Sequence, residues 1–292
     1  MDCLGQVILP NGYWIDRTHY RNVKLRVLTG LDEEFFAEQI STTFPANRIT
    51  NLLNRCITSM DGVEEVTSDA VGRLTVGDRE ALLLHLRRLI MGERMQCILN
   101  CPQTDCNELM DIELRVSDLL QPTYQKPEPV YEDIVESAGR KFRVRFSLPT
   151  GIDQEAAALK ASTDVQAGGV LLLRRCVESV FDDEDIETEW FPEILPEMLK
   201  ALPIKMARLD PQAELILNLT CPICEESFST LFDTGAYLLQ EITSTSDDLY
   251  SQIHLLALHY HWSEADILSM NINKRHRYLN LLLDTLSPEG LT

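Results

Sequence analysis

Cys101-Pro102-Gln103-Thr104-Asp105-Cys106 and Cys221-Pro222-Ile223-Cys224 each sit between two strand-like runs, and that placement decides how the chain is read. Thiolates spaced C-x₂₋₄-C on a tight turn both point at one tetrahedral metal, and a second such loop completes a closed four-thiolate shell of the structural zinc type. The pairs lie 115 residues apart, far beyond a contiguous zinc ribbon, so the fold itself has to bring them together. Cys97 stands two strand periods before Cys101, on the same face, and is a further candidate ligand. The competing reading is four buried thiols without a metal. Cys3, Cys56 and Cys176 have no partner spacing and read as small apolar side chains.

The two cysteine segments resemble each other. An apolar strand ends in Leu99-Asn100-Cys101-Pro102 or Leu219-Thr220-Cys221-Pro222. A return strand follows, then an Asp and a helix with paired leucines, Leu119-Leu120 or Leu238-Leu239. Two such half-sites can pair about a pseudo-dyad around one zinc.

Outward from the knuckles, Gln6-Val7-Ile8-Leu9 and Tyr13-Trp14-Ile15 flank an expected turn at Asn11-Gly12, and Val23 to Val27 alternates; together they predict a small β arm. Helical pattern runs from Asp32 to about Met60, with Pro45 in a first turn. Thr75 and Asp78 start a helix whose Leu82, Leu86, Leu89 and Ile90 form one stripe before Gly92. Three prolines make 121–129 an extended connector. Lys141 to Phe146 alternates as a half-buried strand, and Thr150–Lys160 and Thr163–Val180 read as helices. The acidic loop from Asp182 to Glu187 lacks EF-hand spacing and reads as solvated; two short helical stretches follow it. Three helices close the chain from Asp247. The expected fold is α+β, mainly helical, with short antiparallel strands forming a split Cys₄ zinc-ribbon-like centre and a C-terminal three-helix element. Its expected divisions are 1–60, 61–120, 121–245 and 246–292.

A net charge of −20, from 46 acidic against 26 basic residues, opposes nucleic-acid binding, which depends on Lys and Arg displacing counterions. The one compact basic run, Lys274-Arg275-His276-Arg277, reads as a solvated helix face or the start of a recognition helix. The N-terminus has no signal-peptide character and no apolar run approaches membrane-spanning length, so a cytoplasmic protein without a membrane span is expected. No phosphate loop, dinucleotide fingerprint or nucleophile elbow occurs, and His254, His259 and His261 lack metal-binding spacing, so the chain reads as non-enzymatic and without a small-molecule substrate.

One combination goes further: Leu74-Thr75-Val76-Gly77-Asp78-Arg79-Glu80 leads into the first knuckle, Phe146-Ser147-Leu148-Pro149-Thr150-Gly151 follows it, and Ile253 to Leu268 closes the set with His259-Tyr260-His261-Trp262-Ser263-Glu264. Together they resemble the baseplate-hub assembly (chaperone) family of T-even-type phages, as found in phage-like contractile injection systems. The resemblance implies a non-enzymatic assembly factor or baseplate component whose partners are hub or other contractile tail proteins. It implies Cys101, Cys106, Cys221 and Cys224 as metal ligands, and Tyr260, Trp262, Ser263 and Asp266 as builders of the terminal element. The chain departs from the family's tighter C-P-x-C-G pattern, with Asn107 and Glu225 where glycines are usual. Aromatic anchors among charged residues, Tyr260, Trp262 and Tyr278, are the candidate partner-binding side chains. A zinc-ribbon adaptor for nucleic acid or transcription machinery is the alternative function.

Overall fold

A computed structural model describes residues 4–15, 17–39, 44–61, 65–188, 195–246 and 248–286. The architecture is α+β, with small antiparallel sheets set among helices. β1 (Leu4–Ile15), β2 (Thr18–Arg26) and β3 (Ile57–Met60) form the first sheet, into which α1 (Gly30–Gln39) and α2 (Pro45–Cys56) are inserted. After α3 (Ser68–Gly72) and α4 (Val76–Met91) comes the first knuckle hairpin, β4 (Arg94–Asn100) with β5 (Leu109–Arg115), and then the single turn α5 (Val116–Leu119). The second sheet contains β6 (Tyr131–Ser137), β7 (Arg140–Phe146), β8 (Val177–Phe181) and β9 (Glu187–Thr188), with α6 (Gly151–Ala161) and α7 (Val165–Cys176) inserted in the same way. α8 (Leu195–Leu209) leads to the second hairpin, β10 (Leu215–Thr220) with β11 (Ser227–Phe232). α9 (Thr234–Ser246), α10 (Leu249–Tyr260), α11 (Glu264–Leu268) and α12 (Ile272–Leu286) complete the chain.

Four boundaries differ from the sequence reading. Asn11-Gly12 is not the hairpin turn: β1 runs through it with a bulge between Ile8 and Tyr13, and the chain reverses past Ile15. The bulge persists because the buried Asp78 carboxylate accepts the Asn11 and Gly12 N–H groups at 2.8 and 2.9 Å, and Gly12 supplies the positive φ of 83°. The helical pattern that seemed to reach Met60 and Val180 stops at Cys56 and Cys176, where the β-branched runs beyond pair with β2 and β7. Of the two short helical stretches expected before Leu215, the described residues 195–209 form one helix, α8, which Pro203 does not end, and 189–194 lie outside the described residues. The basic run is a solvated face only in part: Lys274 and Arg277 are exposed, but Arg275 is fully buried in an ion pair with Glu33, itself fully buried.

The two sheet units are copies of each other. Leu28-Thr29-Gly30-Leu31-Asp32 recurs as Leu148-Pro149-Thr150-Gly151-Ile152-Asp153, and Leu52-Leu53-Asn54-Arg55-Cys56 as Leu172-Leu173-Arg174-Arg175-Cys176. In each, the Thr N–H and hydroxyl donate to the Asp carboxylate, at 2.9 and 2.9 Å in the first and 3.0 and 2.7 Å in the second. The same carboxylate receives an arginine from the helix that ends in Cys: Arg55 at 3.1 Å and Arg175 at 2.7 Å.

Each unit is clasped by a helix pair from elsewhere in the chain. Gly151 N donates to Leu74 O and Val76 N to Pro149 O, so the turn before α4 grips the second unit. Gly30 N donates to Met270 O and Ile272 N to Leu28 O, so the turn before α12 grips the first unit in the same pattern. Behind the two clasps lie the largest fully buried side chains among the described residues, Arg79 and Arg275. A Cβ on Gly30 would come 3.0 Å from Arg275 Nη1, and one on Gly151 would strike Arg79, which is why both positions are glycine.

The main core joins the first sheet to α2, α4 and α9 through Leu25, Leu52, Leu82, Leu86 and Leu238, and takes in Ile272 from α12. A second core lies between β7, α7 and α8, around Phe146, Leu173 and Leu202. α10 to α12 enclose a third around Leu256, Ile267 and Leu279.

Candidate metal centre

The centre is built from two hairpins that carry nearly identical turns. In the first, Asn100 faces Leu109 and Cys101 N donates to Glu108 O at 2.9 Å; in the second, Thr220 faces Ser227 and Cys221 N donates to Glu226 O at 3.0 Å. Each turn closes through a left-handed residue, Asn107 at φ 47° and Glu225 at φ 61°. These are the positions where glycine would be strain-free. Asn adopts the conformation readily, whereas Glu carries a cost of about 1 kcal/mol. The replaced glycines therefore leave the turn geometry in place.

The fold brings all four cysteines together. Their Sγ atoms lie within 4.8 Å of one another, with Cys101 to Cys224 at 3.7 Å and Cys106 to Cys221 at 3.8 Å. Four sulfurs at about 2.3 Å from a tetrahedral ion are separated by about 3.8 Å, so the spacing is that of a tetrathiolate shell. The set could hold a metal ion. Cys97 is outside this group and lies buried on β4, among residues that line a groove with Tyr237.

Backbone groups prepare the sulfurs for charge. The N–H groups of Cys224 and Ile223 aim at Cys221 and bring its thiol down to about 7. The Gln103 N–H pulls Cys101 the same way, but desolvation and the surrounding thiols prevail and push it up to about 12. Metal binding would expel the protons of all its thiol ligands.

Around the sulfurs the hairpin tips share a small cluster, with Cys101, Met110 and Cys221 buried and Leu99, Ile112 and Phe228 partly so, while Met95 and Leu114 of the first hairpin pack with Leu215, Leu217 and Phe232 of the second at their other end. The sequence likeness of the two segments fades beyond the hairpins. α5 is one turn long and Leu119 packs beside Leu84 and Leu215, whereas α9 is 13 residues long and Leu238 enters the main core.

At the other end of the chain, Tyr260 stacks on Trp262 with ring centroids 4.7 Å apart, and Tyr278 meets both edge-on at 5.9 and 4.8 Å, the three partly buried against the third core. Ser263 and Asp266 form the capping box of α11, and His261 is the left-handed cap of α10. Cys56 and Cys176 are buried in the two sheet units, as small apolar residues are; Cys3 lies outside the described residues. The Glu33–Arg275 pair and the duplicated clasp were not anticipated from sequence. The repeated Thr-Gly-x-Asp and Arg-Cys signatures, 121 and 120 residues apart, were the available signal. Among the described residues no helix is long and apolar enough to cross a membrane.

A family profile described as T4 bacteriophage base plate protein matches residues 18–237, which takes in both knuckles, the second sheet unit and the first from β2 onward. No curated protein and no solved structure matches the chain.

Proposed function

We propose that this chain, which belongs to the T4 bacteriophage base plate protein family, is a non-enzymatic assembly factor or structural component of the baseplate hub in a phage-tail-like contractile injection system. The observation that carries the reading is the family match across residues 18–237. In this reading Cys101, Cys106, Cys221 and Cys224 hold one structural zinc. The tetrathiolate has no open position for substrate, so the ion would fix the two hairpins to each other rather than take part in a reaction. Hub or other tail proteins are the partners, and Tyr260, Trp262 and Tyr278 offer them an aromatic cluster at the C-terminal end.

The test is a deletion strain viewed by electron microscopy, with sheath and tube subunits still produced. The expected result is loss of complete contractile particles, restored when the gene is supplied in trans. Normal particles in the deletion strain would overturn an essential baseplate role. The nucleic-acid adaptor reading has a smaller basic patch to work with, because Arg275 is buried against Glu33 and leaves Lys274 and Arg277 as the exposed bases of that run.

A further inference from the structure

The two knuckle hairpins leave two strand edges open toward one groove. In an antiparallel pair, residues alternate between those that bond across the ladder and those whose N–H and C=O point away from it. Cys101 N bonds Glu108 O and Cys221 N bonds Glu226 O, so in these registers the outward-pointing residues are Gln96 and Ile98 on β4, and Ser229 and Leu231 on β11. Among the described residues each of these sheets has only two strands, so no further strand takes up those groups. Between the two edges and α9 lies a groove of about 460 Å³. Residues 96–99 and 230–233 line it without a gap, so it runs along the strand edges and not over a sheet face. The Tyr237 hydroxyl, reaching in from α9, donates to Gln96 O at 3.0 Å, which shows an edge carbonyl of β4 turned into the groove.

Three other edge strands in the molecule are guarded, and these two are not. β6, the edge of the second sheet, carries Glu132, Asp133 and Glu136; β5, the first hairpin's other strand, carries Asp111, Glu113 and Arg115; β1 is bulged. Charges and bulges of this kind keep a strand edge from recruiting another strand. Residues 95–100 of β4 and the whole of β11 have no charged residue, no proline and no bulge, and they leave Ile98 and Leu231 68% and 63% exposed.

We infer that this groove takes an extended segment of a partner protein as an added β-strand, bonded to the main chain of Ile98 on one side and of Leu231 on the other. The occupant has to be a strand, because a helix uses its own backbone N–H and C=O groups and has none to offer an edge. It has to be basic as well as apolar. Ile98 and Leu231 give its side chains apolar neighbours, while the groove lining holds Asp233 and Glu241 and no Lys or Arg, and the sequence has neither base from residue 209 to 273. Glu241 is paired with Arg87, so Asp233, which is exposed and caps α9 through the Ala236 N–H, is the carboxylate that meets the segment's Lys or Arg. The same acids disfavour a second copy of this chain as occupant. The source of the segment, another baseplate or tail subunit, rests on the function proposed above; the edges and their chemistry do not.

The full-length protein carrying a photo-crosslinking side chain at Ser244, exposed on the groove, is irradiated during particle assembly, with the same group at the exposed Lys200 of α8 as control. The expected product is a crosslink from position 244, and not from 200, to one segment of a baseplate or tail subunit in which apolar residues alternate and a Lys or Arg is present. That segment, synthesised as a peptide, should bind the wild-type protein. Ile98→Pro and Leu231→Pro each delete an outward N–H that the hairpin's own ladder does not use, a place where an edge strand tolerates proline, and each should weaken peptide binding at least about tenfold. Methylating the peptide's central amide nitrogens should weaken binding as much with the protein untouched, so the test stands even where a proline variant loses stability. Asp233→Asn, which keeps the helix cap, should weaken it several-fold. Crosslinking at 244 no stronger than at 200, capture of a second copy of this chain, a captured segment that binds as a helix, or binding indifferent to amide methylation would each overturn the inference. A basic, extended segment from a protein outside the particle would uphold the strand site and overturn the baseplate reading.

Discussion

Removing the proposed zinc should unfasten the two knuckle turns while the sheet units stay folded. Holding residues 101–108 and 221–226 in place fixes 14 residues, at a backbone cost of about 1 kcal/mol each. Met110 with the partly buried Leu99, Ile112 and Phe228 returns roughly 5 kcal/mol by burial. The shortfall of about 9 kcal/mol is close to the roughly 10 kcal/mol at the lower end of structural zinc binding. Even at a free zinc concentration only about a hundred times the Kd, linkage supplies about 2.7 kcal/mol, a hundredfold change in the opening equilibrium. The assay is hydrogen exchange followed by mass spectrometry, with and without chelator and in Cys221→Ser. The Cys101 and Cys221 amides, bonded to Glu108 and Glu226, report on the turns. Protection in the turns, residues 101–108 and 221–226, should fall at least about a hundredfold, with α4 and the strand ends packed on Leu84 nearly unaffected. Protein purified with well under one zinc per chain, whose exchange ignores chelator and the Cys221→Ser change, would refute the reasoning.

The buried Glu33–Arg275 pair ties the C-terminal helices to the first sheet unit, so Arg275→Met should lower unfolding free energy by about 3–5 kcal/mol, and Glu33→Gln added to it should recover part of the loss, both read from denaturant midpoints. Burial, reinforced by the neighbouring Asp210, pushes Asp78 up to about 7 despite its bonds from Asn11 and Gly12. The folded chain then keeps a proton that the unfolded chain releases near pH 4, so Asp78's contribution makes stability fall by up to about 4 kcal/mol as pH rises from about 4 to 7, and Asp78→Asn should flatten that slope in pH-dependent melts. Gel-shift titration at physiological salt should show no appreciable DNA or RNA affinity, given the net charge of −20.

How much of this was legible depended on the range of each signal. The knuckles could be read because their chemistry is local, two cysteines on one turn, and the residues flanking them show strand alternation. The α4 boundaries were legible for the same reason: Thr75 caps its start and Gly92, at φ 88°, its end. The strands after Cys56 and Cys176 were not, since runs of four and five residues, each with three β-branched or apolar ones, continue a helical stripe until pairing with β2 or β7 decides otherwise. The Asn11-Gly12 bulge imitates a hairpin turn in sequence and is held by a carboxylate 67 residues away. Arg275 was misjudged because nothing in a run of bases reveals which one faces a buried glutamate 242 positions earlier.

The clasps also set how the molecule has to come together. The turn before α4 grips a loop formed only after the first knuckle has been made, and the turn before α12 returns to the loop at residues 28–30. Each sheet unit is completed by a part of the chain distant in sequence, and the four sulfurs converge from hairpins that follow α4 and α8. The long gap between the cysteine pairs is therefore the length of an inserted copy: the second sheet unit lies between the knuckles, and its closure on α4 carries the second hairpin toward the first. A metal at that junction would join two hairpins that the fold already sets side by side. Glu225 is tolerated in its left-handed turn because the turn is held by its own hairpin, through the Thr220–Ser227 pair and the Cys221 N–H to Glu226 O bond, rather than by intrinsic preference.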